Sequence, residues 1–161
     1  MEEPRIALAG PADRDDLLEL LARQFAELEI PLPAEKLASG VDGALADRRR
    51  GSFLIARAER RSIAVAYLNF QWSLEHGGLS AWLEELFVVP EGRGTGLGAR
   101  LLTAACAHAA ERGCAAVDLE VEEAHPRAAR LYEREGFLRH RRARWVKRLA
   151  PLSGLRRSPS P

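Results

Sequence analysis

The stretch that decides the fold is residues 82–98, which read WLEELFVVPEGRGTGLG. An apolar strand that carries Glu84 and Glu85 runs into Arg93 and then into alternating glycines. A run typical of a helix, residues 99–112, follows at once. Side chains would block an anion from reaching backbone N–H groups, so glycines before a helix N-terminus predict a phosphate-binding loop. We therefore expect a phosphate-bearing cofactor to bind at this stretch.

The whole chain has the size and composition of one globular domain. It has 161 residues, of which 47% are hydrophobic, and a net charge of +1. We expect a single domain over residues 1–150 and a disordered tail over residues 151–161, which are rich in Pro, Ser and Arg. Cys106 and Cys114 are the only cysteines, which is typical of small apolar residues in a reducing cytoplasm rather than of a disulfide framework.

Several classes of protein are excluded by what the sequence lacks. No apolar run approaches the ~18 residues that a membrane span needs, and the acidic N-terminus is not a signal peptide. A net charge of +1 without an RNA-binding motif argues against nucleic-acid binding. The histidines lack the spacing of metal ligands, so no metal site is expected; they are His76, His108, His125 and His140.

Hydrophobic spacing predicts an α/β order of elements. Strands are predicted at residues 6–9, 52–58, 63–72, 79–89, 115–121, 137–140 and 144–149. Helices are predicted from Asp13 to before Ile30 and at residues 34–49, 99–112 and 126–134. The first half thus reads as a strand, two helices and an antiparallel meander. On the meander, Tyr67, Asn69, Gln71 and Trp72 either line an acceptor pocket or form an exposed strand face.

The glycines match two known phosphate-binding motifs only in part. A P-loop ends in Gly-Lys-Ser/Thr, which Leu97-Gly98-Ala99 does not match. The dinucleotide fingerprint is formally matched by Gly94, Gly96 and Ala99. However, a first dinucleotide-binding strand is usually apolar on both faces, whereas this strand carries two glutamates. A dinucleotide-dependent oxidoreductase therefore stays as an alternative.

Two motifs in this order resemble a known family. Residues 93–98 fit the pattern Gln/Arg-x-x-Gly-x-Gly/Ala, and residues 125–137 read HPRAARLYEREGF, close to Asn-x-x-Ala-x-x-Leu-Tyr-x-x-x-Gly-Phe. Together they resemble the GNAT superfamily of N-acetyltransferases over roughly residues 52–145. His125 stands where the family commonly has asparagine. The strand itself is more weakly similar to the polyamine/thialysine acetyltransferase branch.

The resemblance implies a fold and a cofactor. It implies a mixed, mostly antiparallel α/β sheet, splayed around a CoA cleft and covered by helices on both faces. Acetyl-CoA is expected between the strands at residues 83–89 and 115–121. The cofactor-binding residues that it implies are Leu86, Phe87, Val88, Arg93, Gly94, Thr95, Gly96, Leu97, Gly98, Ala99, His125 and Ala128.

The resemblance and the chemistry together name three candidate catalytic residues. Tyr132 lies at the position of the family's tyrosine general acid. Glu84 and Glu85 are both candidates for the base that accepts a proton from the amine, with Glu84 preferred. Adjacent strand residues point to opposite faces, so only one can line a given face unless a bulge re-aims them.

The resulting hypothesis is an acetyl-CoA-dependent N-acetyltransferase. It would transfer the acetyl group to a primary amine by direct attack in a ternary complex. Acidic side chains near the cleft (Glu84, Glu85 and Glu120) favour a small cationic acceptor, or else a protein amine. The other alternative is a catalytically silent acyl-CoA-binding module. The family also suggests a homodimer.

Overall fold

The structure is a computed structural model that describes residues 3–121 and 125–149. The predicted disordered tail, residues 151–161, lies outside the described residues. The elements are, in chain order, β1 (Arg5–Leu8), α1 (Arg14–Glu27), α2 (Ala34–Ala46), β2 (Gly51–Ala58), β3 (Arg61–Ser73), β4 (Gly78–Val88), α3 (Leu97–Glu111), β5 (Val117–Leu119) and α4 (Pro126–Arg134). Short 3-10 turns precede α1 at Pro11–Asp13 and follow β4 at Pro90–Gly92.

The five strands form one sheet in the order β1-β2-β3-β4-β5. The first four strands pair antiparallel with their sequence neighbours. The strand β5 pairs parallel with β4, and helix α3 makes the crossover between them. The predicted mixed and mostly antiparallel sheet is therefore confirmed.

Helices cover both faces of this sheet, as predicted. One face packs on α1 and α2, and its core comprises Ala9, Leu17, Leu20, Leu21, Val41, Ala44, Phe53, Ile55, Val65, Phe87 and Val89. The other packs on α3, and its core comprises Leu54, Ala56, Ala64, Ala66, Leu68, Ala81, Leu83, Leu97, Leu101, Leu102, Ala105 and Ala109. Helix α4 packs against this second core through Leu131 and Tyr132. Strand alternation thus divides neighbouring residues, such as Leu54 and Ile55, between two cores.

The prediction of two final strands, at residues 137–140 and 144–149, was wrong. The described residues 137–149 contain neither strand nor helix. Their large apolar side chains are solvent-exposed, Trp145 at 92%, so burial does not stabilise a strand there. Arginines of this segment form ion pairs instead, Arg142 with Glu75 and Arg144 with Glu120. The strand predicted at residues 115–121 is shorter, and α2 ends at Ala46 rather than at residue 49.

Among the described residues, no helix is both long and apolar enough to cross a membrane. Cys106 and Cys114 are free, half-buried thiols. Burial raises the pKa of both, so both are largely protonated at neutral pH.

Candidate active site

The candidate site lies where the pairing between β4 and β5 ends. Their last paired residues are Leu83 and Leu119, whereas β4 continues to Val88. Within the described residues, the outer edge of β4 is therefore without a partner strand from Glu84 onward. Unpaired strand N–H and C=O groups can bond an extended ligand that carries amides. Leu86, Phe87 and Val88, predicted to bind the cofactor, lie on this part of β4.

The glycine loop has a left-handed backbone at two of its glycines. Gly94 and Gly96 have φ of +77° and +82°, which is the left-handed region, and Gly96 is the N-cap of α3. A Cβ at either position would meet nothing within 4 Å, so conformation rather than crowding favours glycine there. No side chain of the N-cap bonds the first turn of α3, whose N–H groups lack intrahelical partners. The loop and first turn therefore offer N–H donors to an anion.

Replacing Gly96 by alanine tests this conformation. We expect the substitution to lower the free energy of unfolding by about 1–2 kcal/mol, because a Cβ strains the left-handed backbone. Gly40 in α2 is the matched control, since its φ is not positive and an added Cβ meets nothing within 4 Å. Gly40→Ala should stabilise the protein by about 0.5–1 kcal/mol. Urea unfolding of both variants checks the signs, and equal stability of Gly96→Ala and the parent would contradict the assignment.

Arg93, predicted to bind phosphate, is held in several contacts. Its Nη2 donates to Glu27 at 2.7 Å and its Nε donates to the Val88 carbonyl at 2.8 Å. Its guanidinium carbon also lies 5.6 Å from the centre of the Phe87 ring. The side chain thus connects the loop to α1 and β4. A phosphate on Arg93 would share this cation with Glu27.

The second motif packs beside the first. Helix α4 begins at Pro126, and the carbonyl of its N-cap residue His125 accepts hydrogen bonds from Ala128 and Ala129 at 3.1 and 3.2 Å. A Cβ added at Gly98 would lie 3.8 Å from both Leu131 and Val88. The start of α3, the end of β4 and α4 therefore converge at Gly98.

A β-bulge lies at the two candidate bases. Across β3 and β4, Tyr67 pairs with Glu85 and Leu68 pairs with Leu83, so Glu84 is the extra residue. The bulge coincides with the end of β5 pairing. It turns Glu84 toward solvent, where its Oε2 accepts a hydrogen bond from Asn69 Nδ2 at 2.7 Å. The sequence allowed for a bulge that re-aims one of the two glutamates, and the structure contains this bulge.

Glu85 is half-buried and has an unusual carboxyl. Burial, followed by the charge of Glu84, raises its pKa to about 7. Its Oε2 accepts a hydrogen bond from Gln24 Nε2 at 2.6 Å. A carboxyl with this pKa changes protonation state near neutral pH, which suits a general base.

Tyr132 lies within electrostatic reach of this carboxyl. Burial, with a further contribution from the charge of Glu85, raises the pKa of Tyr132 to about 12. The ring packs edge-on against Phe137, with centroids 5.8 Å apart. Tyr132 therefore stays protonated over the whole physiological range and can act as a hydrogen-bond donor or acid.

Sequence reasoning missed Gln24. Helix α1 buries Leu17, Leu20, Leu21 and Gln24, which is one helical stripe. A polar residue within an apolar stripe is the signal that could have identified it. Its partner Glu85 lies 61 positions away, so only the tertiary fold pairs them.

An open groove of about 380 Å³ lies next to Glu84. Its lining residues are Asn69, Gln71, Trp82, Glu84, Glu120, Arg142, Ala143 and Arg144. Arg144 Nη1 donates to Glu120 at 2.8 Å. Of the four meander residues considered for an acceptor pocket, Asn69 and Gln71 line the groove, Tyr67 stacks on Phe53, and Trp72 is 75% exposed.

Comparisons with known proteins place these motifs in a family. A model described as the acetyltransferase (GNAT) family matches residues 14–137. The chain is 32% identical over 134 residues to an uncharacterized N-acetyltransferase of Mycobacterium bovis, which covers 78% of this chain and 83% of that protein. It is 43% identical over 88 residues to a mycothiol acetyltransferase of Thermobispora bispora, 51% of this chain but only 29% of that protein.

The solved structures share the fold. An aminoglycoside N-acetyltransferase in complex with CoA matches with a TM-score of 0.78 at 15% identity, over 92% of this chain and 98% of that one. At this identity the match concerns the fold alone. The chain spans less than a third of the length of the mycothiol acetyltransferases that it matches.

Proposed function

Since this chain belongs to the acetyltransferase (GNAT) family, we propose that it transfers an acetyl group from acetyl-CoA to a primary amine by direct attack in a ternary complex. Glu85 is the general base and Tyr132 is the general acid. The observation that carries the proposal is the half-buried Glu85 carboxyl, which has a pKa of about 7 and lies within electrostatic reach of a tyrosine that stays protonated. The bulge and the end of β5 pairing lie at this carboxyl.

The glycine loop would hold the phosphates of acetyl-CoA. Its N–H groups are not capped by a side chain, and the space beside Gly94 and Gly96 is open. The unpaired edge of β4 would bond the amide arm, and a backbone N–H there would polarise the thioester carbonyl. The CoA complex of an aminoglycoside N-acetyltransferase with the same fold supports this choice of cofactor.

Two proton movements assign the roles of the side chains. An alkyl amine with a pKa near ~10 is protonated at neutral pH and must lose a proton before it attacks. Ionised Glu85 accepts that proton, directly or through water. The amine nitrogen would form a C–N bond to the thioester carbonyl carbon while the C–S bond breaks, and the departing thiolate would take a proton or accept a hydrogen bond from the Tyr132 hydroxyl. Glu85 is preferred to Glu84 because Glu84 is exposed and bonded to Asn69.

The groove beside Glu84 would bind the acceptor. Its carboxylates, Glu84 and Glu120, favour a cationic small molecule. Arg144 already pairs with Glu120, but both side chains are exposed, and such ion pairs contribute only about 0–1 kcal/mol. An ammonium group can therefore displace Arg144 at little cost. The name of the mycothiol acetyltransferase that is 43% identical over 88 residues supports a small-molecule acceptor.

A panel of amines with acetyl-CoA and detection of the free thiol tests the function. We expect turnover of primary amines, with kcat/KM higher for a diamine than for an amino alcohol of equal length. Glu120→Gln should lower this preference by up to about fivefold, the range of an exposed ion pair. Asp42→Asn is the matched control and should not change the preference, because it breaks an exposed ion pair, with Arg14, in which neither residue lines the groove.

The same assay separates the alternatives. Thermal stabilisation by acetyl-CoA without turnover of any amine would favour a silent acyl-CoA-binding module. Stabilisation by NAD but not by acetyl-CoA would favour a dinucleotide-dependent oxidoreductase. Two free thiols support action in a reducing cytoplasm. The homodimer stays a prediction.

A further inference from the structure

Gln24 makes an unusual contact with Glu85. It is only 7% exposed and lies on the apolar stripe of α1. Its Nε2 donates to Glu85 Oε2 at 2.6 Å. Its other polar atom, Oε1, is buried and has no hydrogen-bond partner among the described residues. A buried acceptor without a hydrogen-bond partner costs about 1–3 kcal/mol of stability. The presence of glutamine at this position therefore calls for a functional explanation.

Charged and titratable groups approach Glu85 from the other elements. Glu84 on β4 opposes its ionisation, and Arg144, in the segment after α4, favours ionisation. On α4, burial raises the pKa of Tyr132, and the charge of Glu85 raises it further. From α1, the contact is the neutral amide of Gln24. The hydrogen bond from Gln24 therefore lowers the pKa of the Glu85 carboxyl without adding a charge to the site.

The chemistry of a general base requires two different partners in turn. An ionised carboxylate only accepts hydrogen bonds, whereas a protonated carboxyl also donates one. An amide side chain carries a donor and an acceptor on one planar group, and rotation by 180° exchanges them. Nε2 faces Glu85 in the structure, which suits the ionised state. The unpaired Oε1 is the atom that would face a protonated Glu85.

We propose that Gln24 is a positioning residue that holds Glu85 in both of its protonation states. Nε2 donates to the carboxylate before proton transfer. After Glu85 has taken the proton from the amine, the amide rotates and Oε1 accepts the carboxyl O–H. The catalytic meaning of this contact rests on the proposed function. The contact itself is a property of the free protein and can be measured without any substrate.

The test uses the whole chain labelled with ¹⁵N and ¹³C. A pH titration by NMR follows the Glu85 carboxyl carbon and the Gln24 side-chain NH₂ group. We expect the Gln24 signals to shift with the same midpoint as Glu85. Gln24→Met keeps length and apolar packing but removes both polar atoms. It should raise the midpoint of Glu85 by about one pH unit, because the hydrogen bond lost to the carboxylate is stronger than the one lost to the protonated carboxyl.

The pH dependence of kcat is a second measurement, and it would not change if Gln24 only stabilised the fold. In Gln24→Met, kcat at pH 7 should fall by about 10- to 100-fold and recover partly at higher pH, while KM for acetyl-CoA stays unchanged. Leu20→Ala is the control, since Leu20 is buried on the same helix. It should lower the melting temperature without moving the midpoint.

The outcomes separate the two proposals. If the Gln24 NH₂ signals of the parent do not follow Glu85, or the midpoint is unchanged in Gln24→Met, the positioning role is overturned. The measurement on the parent decides the question even where Gln24→Met does not fold. If the midpoint moves but no amine is acetylated, the acetyltransferase proposal fails while the contact with Glu85 stands.

Discussion

Glu85→Gln is expected to lower kcat for acetyl transfer by about 10²- to 10⁴-fold, the usual contribution of a positioned general base. Glutamine keeps the size of the side chain and a hydrogen bond to Gln24 but cannot accept the amine proton. In the parent, kcat should rise with increasing pH, and the midpoint of this rise should lie near pH 7, because the carboxyl must be ionised to act. The variant should lose this rise. A pH profile of kcat for both proteins is the measurement.

Glu84→Gln is the matched control for this substitution. The charge of Glu84 helps to raise the pKa of Glu85, so its removal should move the midpoint of kcat to lower pH. The value of kcat at pH 8, measured with saturating amine because Glu84 lines the proposed acceptor groove, should stay within a few-fold of the parent. If Glu84→Gln abolished activity while Glu85→Gln did not, the base would be Glu84.

Stability gives a check on Glu85 that needs no substrate. The pKa of this carboxyl in the folded state is about 7, above its ordinary value of 4.5. Between those values the folded protein keeps a proton that the unfolded chain has released. The free energy of unfolding should therefore fall as pH rises from 4.5 to 7, by up to about 3 kcal/mol. Glu85→Gln should remove this loss, so the variant should be more stable than the parent at pH 8.

Tyr132→Phe is expected to lower kcat by about 10²- to 10³-fold with little change in the binding of acetyl-CoA. The substitution removes only the hydroxyl that would donate to the departing thiolate, and the ring can keep its packing on Phe137. Since burial raises the pKa of Tyr132 to about 12, the parent should show no loss of kcat through tyrosine ionisation below pH 10. Steady-state kinetics and the binding of CoA by calorimetry check both parts.

Tyr67→Phe is the control, because the chain has only two tyrosines. Tyr67 stacks on Phe53 with centroids 4.4 Å apart, and its hydroxyl points toward Gly51. We expect kcat within about twofold of the parent. If both substitutions lowered kcat equally, loss of packing rather than loss of a proton donor would be the cause.

The local elements that position the site were predictable because they depend on neighbouring residues. A helix follows the alternating glycines, and α4 spans residues 126–134, as the Pro and Gly signals predicted. The mixed sheet follows from the order of elements and the resemblance at two motifs. The prediction of two final strands, at residues 137–140 and 144–149, was wrong because most large apolar side chains of this segment are exposed and pack against nothing.

The amino-acid sequence by itself determined the family and the glycine loop before α3, and it named three candidate catalytic residues, because each depends on residue types at short, fixed spacing. Only the tertiary structure distinguishes the environments of the two glutamates. The bulge at Glu84 depends on the register between β3 and β4, and the contact of Glu85 with Gln24 joins residues 61 positions apart. Burial then separates two chemically identical neighbours, because a carboxyl in low dielectric holds its proton to near pH 7 while an exposed one keeps its hydration.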